Sequence, residues 1–207
     1  MRDSRMRMLM AASVWLATAV ACGAQSQPGS RPSYDGRWWR SITPVERVGF
    51  VFGYFDCYTF EYKGPQRFLT KSYERYSQLI TQVYSDSSRV GHSLVDVIDQ
   101  LRDKPGEKDE NPGGSPTPGR HDGMDGLYWK QASLEGHDKQ RGFVEGYLLC
   151  HEKLAQNKGG AFSKAPDEYR ALVTQWYRLD EKNGDIDAKR EPEAIADVLF
   201  KVRTGIK

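Results

Sequence analysis

The sequence predicts an all-α protein, internally duplicated, in which two three-helix repeats pack with pseudo-twofold symmetry. Three observations carry that prediction. GFVFGYFDC at Gly49 to Cys57 recurs as GFVEGYLLC at Gly142 to Cys150, and YSQLITQVY at Tyr76 to Tyr84 recurs as YRALVTQWY at Tyr169 to Tyr177, both at an offset of 93 residues. Eleven of these eighteen aligned positions are identical, where average residue usage would give roughly one by chance. The apolar residues in each block recur at helical spacing, and no strand pattern of comparable strength is present.

The chain opens with Arg2, Arg5 and Arg7, an apolar stretch from Met8 to Val20, and small residues before Gln25. This is the three-part layout of a secretory signal peptide over residues 1–24. The apolar stretch is shorter than the roughly 20 residues a membrane span requires. No later segment is long and apolar enough to span a bilayer either. Cleavage after Ala24 gives a soluble periplasmic or secreted product. Cleavage after Ala21 leaves Cys22 first and open to lipidation, although Ala19-Val20-Ala21 lacks the leucine usual in a lipobox. Losing residues 1–24 removes three arginines and one aspartate, so the formal charge falls from +2 to 0. A neutral chain gives no electrostatic case for nucleic acid, which relies on concentrated Lys and Arg.

Residues 25–34 form a polar, Pro-containing lead-in expected to be flexible. Repeat 1 covers 35–102, a Pro/Gly-rich linker covers 103–120, and repeat 2 covers 121–207. Each repeat begins with Asp-Gly-x-aromatic-Trp: Asp35-Gly36-Arg37-Trp38-Trp39, then Asp125-Gly126-Leu127-Tyr128-Trp129. Asp-Gly signals a turn, held by aspartate hydrogen bonds to nearby amides. Here the offset is 90, so the second copy carries three extra residues, nearly one helical turn, before its next helix. Trp39, Trp129, Asp35 and Asp125 are the candidate ligand-binding residues, since Trp and Tyr rings stack on sugars or anchor partners. Their recurrence with each helical unit favours packing and capping.

The first long helix begins at Thr43-Pro44-Val45-Glu46, where Thr43 caps, Pro44 fits the first turn and Glu46 can complete a capping box. It should run to about Tyr62; its partner starts near Ser133 or Asp138 and runs to about Ala155. Gly49, Gly53 and Cys57 recur every four residues and share a stripe, as do Gly142, Gly146 and Cys150. Interior glycine costs about 1 kcal/mol relative to alanine, so matched glycines mark close approach of another helix. Beside the stripe, Phe50, Tyr54 and Tyr58, matched by Phe143, Tyr147 and His151, read as core. Second helices cover about Ser72 to Ser85 and Pro166 to Leu179, with Asp167 and Glu168 favouring the start of the latter. Third helices cover Leu94 to Arg102 and Ile195 to Arg203, now at an offset of 101. Eight extra residues therefore lie around Asp180 to Glu191.

Cys57 and Cys150 are equivalent positions. In a duplicated unit packed about a pseudo-twofold axis, equivalent residues near the axis face one another. A disulfide is the expectation, and an oxidising compartment supplies the chemistry. The alternative is two buried free thiols.

Candidate chemistries fall short of their patterns. His151-Glu152-Lys153-Leu154-Ala155 begins like a zinc-protease helix but has alanine where the second histidine must lie. Asp180 to Glu191 aligns Asn183, Gly184 and Ile186 with an EF-hand loop, yet Leu179 and Arg190 fall where calcium needs oxygen ligands. His121, Asp122 and Asp125 cluster, with His137 and His151 further on, but His121 and His137 have no counterparts in the first repeat and read as solvated. No metal or other cofactor is therefore expected. There is no G-x-S-x-G nucleophile, and Ser115 lies in the linker. Glu46, Glu145 and Asp56 are the carboxylates that could supply an acid and a base, as a glycan hydrolase requires.

A small exported helical domain with a glycine-tyrosine-glycine helix ending in cysteine resembles the Tai-type periplasmic immunity proteins, which neutralise toxins delivered between bacteria. The resemblance covers Gly49 to Cys57 and Gly142 to Cys150, and this chain differs in being duplicated, with one cysteine per repeat. It implies a noncatalytic protein partner and carries no residue roles. The expectation is an exported binding or inhibitory module of the cell envelope; the alternative is an envelope glycan-binding protein or glycan hydrolase using a cleft between the repeats.

Overall fold

Asp35 caps the first helix of the described residues. Its carboxylate accepts hydrogen bonds from the amides of Arg37 (2.8 Å) and Trp38 (3.1 Å), satisfying two donors that a first helical turn leaves without partners. In the computed structural model, which describes residues 32–61, 71–101, 124–154, 162–180, 182 and 185–205, this capped segment is the helix α1 (Gly36–Ser41). It is followed by α2 (Pro44–Glu61), α3 (Tyr73–Ser85), a 3₁₀ turn at Ser87–Arg89, and α4 (Leu94–Leu101). The order then recurs as α5 (Gly126–Leu134), α6 (His137–Leu154), α7 (Pro166–Tyr177) and α8 (Ile195–Arg203). The described residues are thus mostly helical, with no strand beyond isolated bridge pairs. The expected signal segment 1–24, residues 25–31 of the expected lead-in, the expected linker 103–120 with Ser115, and His121 and Asp122 lie outside the described residues.

One expectation needs correction. The Asp-Gly elements, read as turns before three-helix units, are helices themselves, so among the described residues each half has four α-helices rather than three. The reason is the cap: Asp125 accepts from Leu127 (3.0 Å) and Tyr128 (3.2 Å) as Asp35 does in its half. The three residues inserted before α6 appear as a longer α5, nine residues against six in α1.

Each half is closed by the same backbone contacts. The Gly36 amide donates to Val90 and the Leu94 amide to Tyr34, and in the second half Gly126 donates to Glu191 and Ile195 to Met124, all at 2.8–2.9 Å. Single antiparallel bridge pairs join Asp35 to Ser93 and Asp125 to Ala194. Buried Tyr84 and Tyr177 donate through their hydroxyls to the carbonyls of His92 (3.0 Å) and Glu193 (2.6 Å). Burial, ahead of nearby carboxylates, raises both phenols above their ordinary value, so they remain protonated donors.

The halves meet along α2 and α6. A Cβ added at Gly49 would fall on the Lys139 carbonyl oxygen, at Gly53 on that of Phe143, at Gly142 on that of Glu46 and at Gly146 on that of Phe50, in each case closer than real Cβ atoms approach. Every one of these contacts has its counterpart at the 93-residue offset. Backbone approach of this kind is what the interior glycines make room for, and it suits Cα–H···O contacts between the helices. Cys57 and Cys150 end the glycine stripes and are joined by a disulfide, their Cα atoms 6.0 Å apart. Phe50, Tyr54, Tyr58, Phe143, Tyr147 and His151 are all buried beside the seam.

Candidate functional site

At one flank of the seam a polar cluster forms across three helices. Arg141 Nε lies 3.5 Å from Glu46 on α2, 3.4 Å from Glu145 one turn along α6, and 3.8 Å from Asp167 in the first turn of α7. Glu46 and Glu145 are only 5% and 2% exposed. Burial pushes the Glu145 carboxyl up to about 7, against the opposing pull of Arg141 and with the Glu46 charge adding to the rise. Glu46 is raised for the same first reason, and Arg141 again opposes it. Near neutral pH, one guanidinium therefore shares two carboxyls that resist simultaneous ionisation. The capping box expected at Glu46 is half formed: its amide bonds Thr43 Oγ1 at 3.1 Å, while its carboxylate turns inward to Arg141.

The opposite flank is aromatic. Phe52 holds the place in α2 that Glu145 holds in α6, and its ring centroid lies 3.7 Å from Tyr73 and 5.2 Å from Tyr128. Lys139, the counterpart of Glu46, sets its ammonium 5.8 Å from the ring centroids of both Phe52 and Tyr128 and pairs with Glu135 at 2.9 Å. Cation–π and ring contacts here stand where ion pairs stand on the other side.

The structure brings Glu46 and Glu145 together and leaves Asp56 apart, ten positions along α2 from Glu46, or about 15 Å. Trp39 and Trp129 are 0% exposed. Each indole donates to a threonine of the adjacent helix, Trp39 to Thr81 and Trp129 to Thr174, both at 3.0 Å. Their backbone carbonyls accept from equivalent positions of the long helices, Arg47 Nε at 2.9 Å and Gln140 Nε2 at 3.0 Å. A tryptophan so enclosed offers no face for a sugar, and Asp35 and Asp125 are occupied as caps. His151 packs edge-on against Phe162 and Phe200 at 4.9 and 5.4 Å, and His137 lies against Arg170. Among the described residues no group of three or more metal-ligating side chains converges.

Sequence reasoning missed a groove of about 520 Å³ between α7 and α8, floored by Leu172, Trp176 and Val202 and rimmed by Lys164, Arg178 and Arg190. The Arg190 guanidinium sits 4.7 Å from the Trp176 ring centroid and donates to its carbonyl at 2.6 Å. Lys201 approaches the same ring at 5.0 Å. Arg178 caps α7 in the left-handed region (φ 52°), a conformation non-glycine residues adopt uncommonly. A signal was available: Trp176 and Arg178 stand where the first half has Val83 and Ser85. Comparison of the chain with protein families, with characterised proteins and with solved structures finds no match.

Proposed function

We propose that this chain is an exported, noncatalytic binding or inhibitory module of the bacterial cell envelope, of the immunity type its glycine helices resemble, built by duplication with its two halves packed about a pseudo-twofold axis. The observation that carries the reading is burial. The aromatic and acidic residues a glycan site would use, Trp39, Trp129, Glu46 and Glu145, are enclosed in the fold, and backbone contact at the four glycines fills the seam where a cleft between the halves would lie. The exposed surface of the described residues is left for a protein partner.

The matched contacts at the 93-residue offset support duplication, as do the paired caps and paired threonine bonds. Export is supported by the basic and apolar opening of the chain, by the disulfide, which persists in oxidising compartments, and by the finding that among the described residues no helix is long and apolar enough to cross a membrane. Lipidation at Cys22 remains the alternative form of the exported product. Native mass spectrometry of the protein recovered from its own host tests the proposal. A retained protein chain is the expected result. A retained glycan, or a bare chain at concentrations where the host partner is present, contradicts it.

A further inference from the structure

We propose that the groove between α7 and α8 is the surface that takes the partner, and that it recognises a short acidic segment carrying one apolar side chain. The proposal rests on the binding role argued above and gives that role a place and a chemistry. Its floor is apolar, made by Leu172, Trp176 and Val202, and among the described residues no carboxylate lines it. Lys164, Arg178 and Arg190 stand at its rim. A volume of about 520 Å³ lies within the range of sites that enclose a compact ligand, so a few residues of an extended peptide fit and a broad surface does not.

Charge complementarity selects the occupant. An apolar anchor would enter against Leu172 and Val202, and flanking carboxylates would meet Arg178 and Lys164, whose side chains reach solvent. Arg178 pairs only loosely with Asp187, at 3.4 Å, and its side chain is 68% exposed, so a ligand carboxylate can compete for it. The first half has Val83, Ser85 and Asp86 at the corresponding end of α3 and lacks both the tryptophan and the adjoining arginine.

Fluorescence anisotropy tests the assignment, using the oxidised chain and a labelled peptide with leucine between two pairs of glutamates, against the same peptide with lysines. The glutamate peptide should bind, weaken with added salt, and lose about tenfold affinity with Lys164→Glu or Arg178→Gln. Both variants alter exposed side chains, and near-UV circular dichroism confirms their fold; Leu127→Ala, on the exposed side of α5, should bind as the parent does. Equal binding of both peptides, no binding of either, or unchanged affinity in the rim variants would overturn the proposal. So would binding to anionic phosphatidylglycerol vesicles without binding to the peptide. If the host partner seen by native mass spectrometry is retained equally by Arg178→Gln, the groove assignment fails while the binding role stands.

Discussion

Phe52 and Glu145 occupy equivalent places in the two long helices, yet Phe52 stacks on Tyr73 and Tyr128 while Glu145 shares Arg141 with Glu46. The backbone around them is held by like contacts, glycine against carbonyl, on both sides of the seam. A side chain beside the seam can therefore change from aromatic to acidic without altering how the helices approach. The same contrast recurs farther out. Trp39 and Trp129 make the same bond to a threonine, whereas Trp176 and Arg178 stand where the first half has Val83 and Ser85. Positions that set backbone distance are matched between the halves, and positions that set surface chemistry differ.

The strongest way to break the matched part is to widen the seam. Gly53→Ala combined with Gly146→Ala puts methyl groups onto the Phe143 and Phe50 carbonyls, and the helices must separate. Alanine gains about 1 kcal/mol of helix propensity at each site, but overpacking against backbone should exceed this and abolish the cooperative urea transition. Gly91→Ala is the control: nothing lies within 4 Å of its added Cβ, so stability should stay within about 0.5 kcal/mol. Replacing Cys57 and Cys150 together by serine opens a loop of 93 residues and should cost about 4 kcal/mol in the chain-entropy model, read from denaturant midpoints.

The acidic flank is sharpened by pH. The Glu145 carboxyl is pushed up to about 7 from 4.5, so its neutral form is favoured in the fold. Its contribution is fully present below the unfolded value near 4.5 and is lost as pH rises through about 7. The parent should therefore lose stability between those values, and Glu145→Gln should flatten the profile, gaining up to about 3 kcal/mol by pH 8. A steeper fall in the variant would contradict this account of the cluster. The smallest effects should be the most equal: Asp35→Ala and Asp125→Ala each remove a cap of about 1 kcal/mol. Unequal thermal shifts would show that the two short helices are not equivalent.

Much of the frame was legible because it rests on spacing. The Thr43-Pro44 start placed α2 to within a residue, and glycines four apart marked the seam before any partner was known. The short helices were not legible, since Asp-Gly favours a turn and six residues carry little helical periodicity; only the doubled cap hydrogen bond decides for helix. Glu46 was misjudged for a related reason. Its spacing from Thr43 fits a capping box, but Arg141, ninety-five positions away in the chain, gives its buried charge a closer partner. The groove was hidden because Trp176 sits at core spacing in α7, and its cationic rim comes from three segments that meet only in the fold.

The account's central claim is that the halves share one core through the glycine seam. Native-state hydrogen exchange of the oxidised chain tests it most directly. The account predicts that the slowest amides lie in both Gly49 to Cys57 and Gly142 to Cys150, with a common opening free energy equal to that of global unfolding. Two separate free energies, one for each half, would mean that the halves unfold independently and would contradict it.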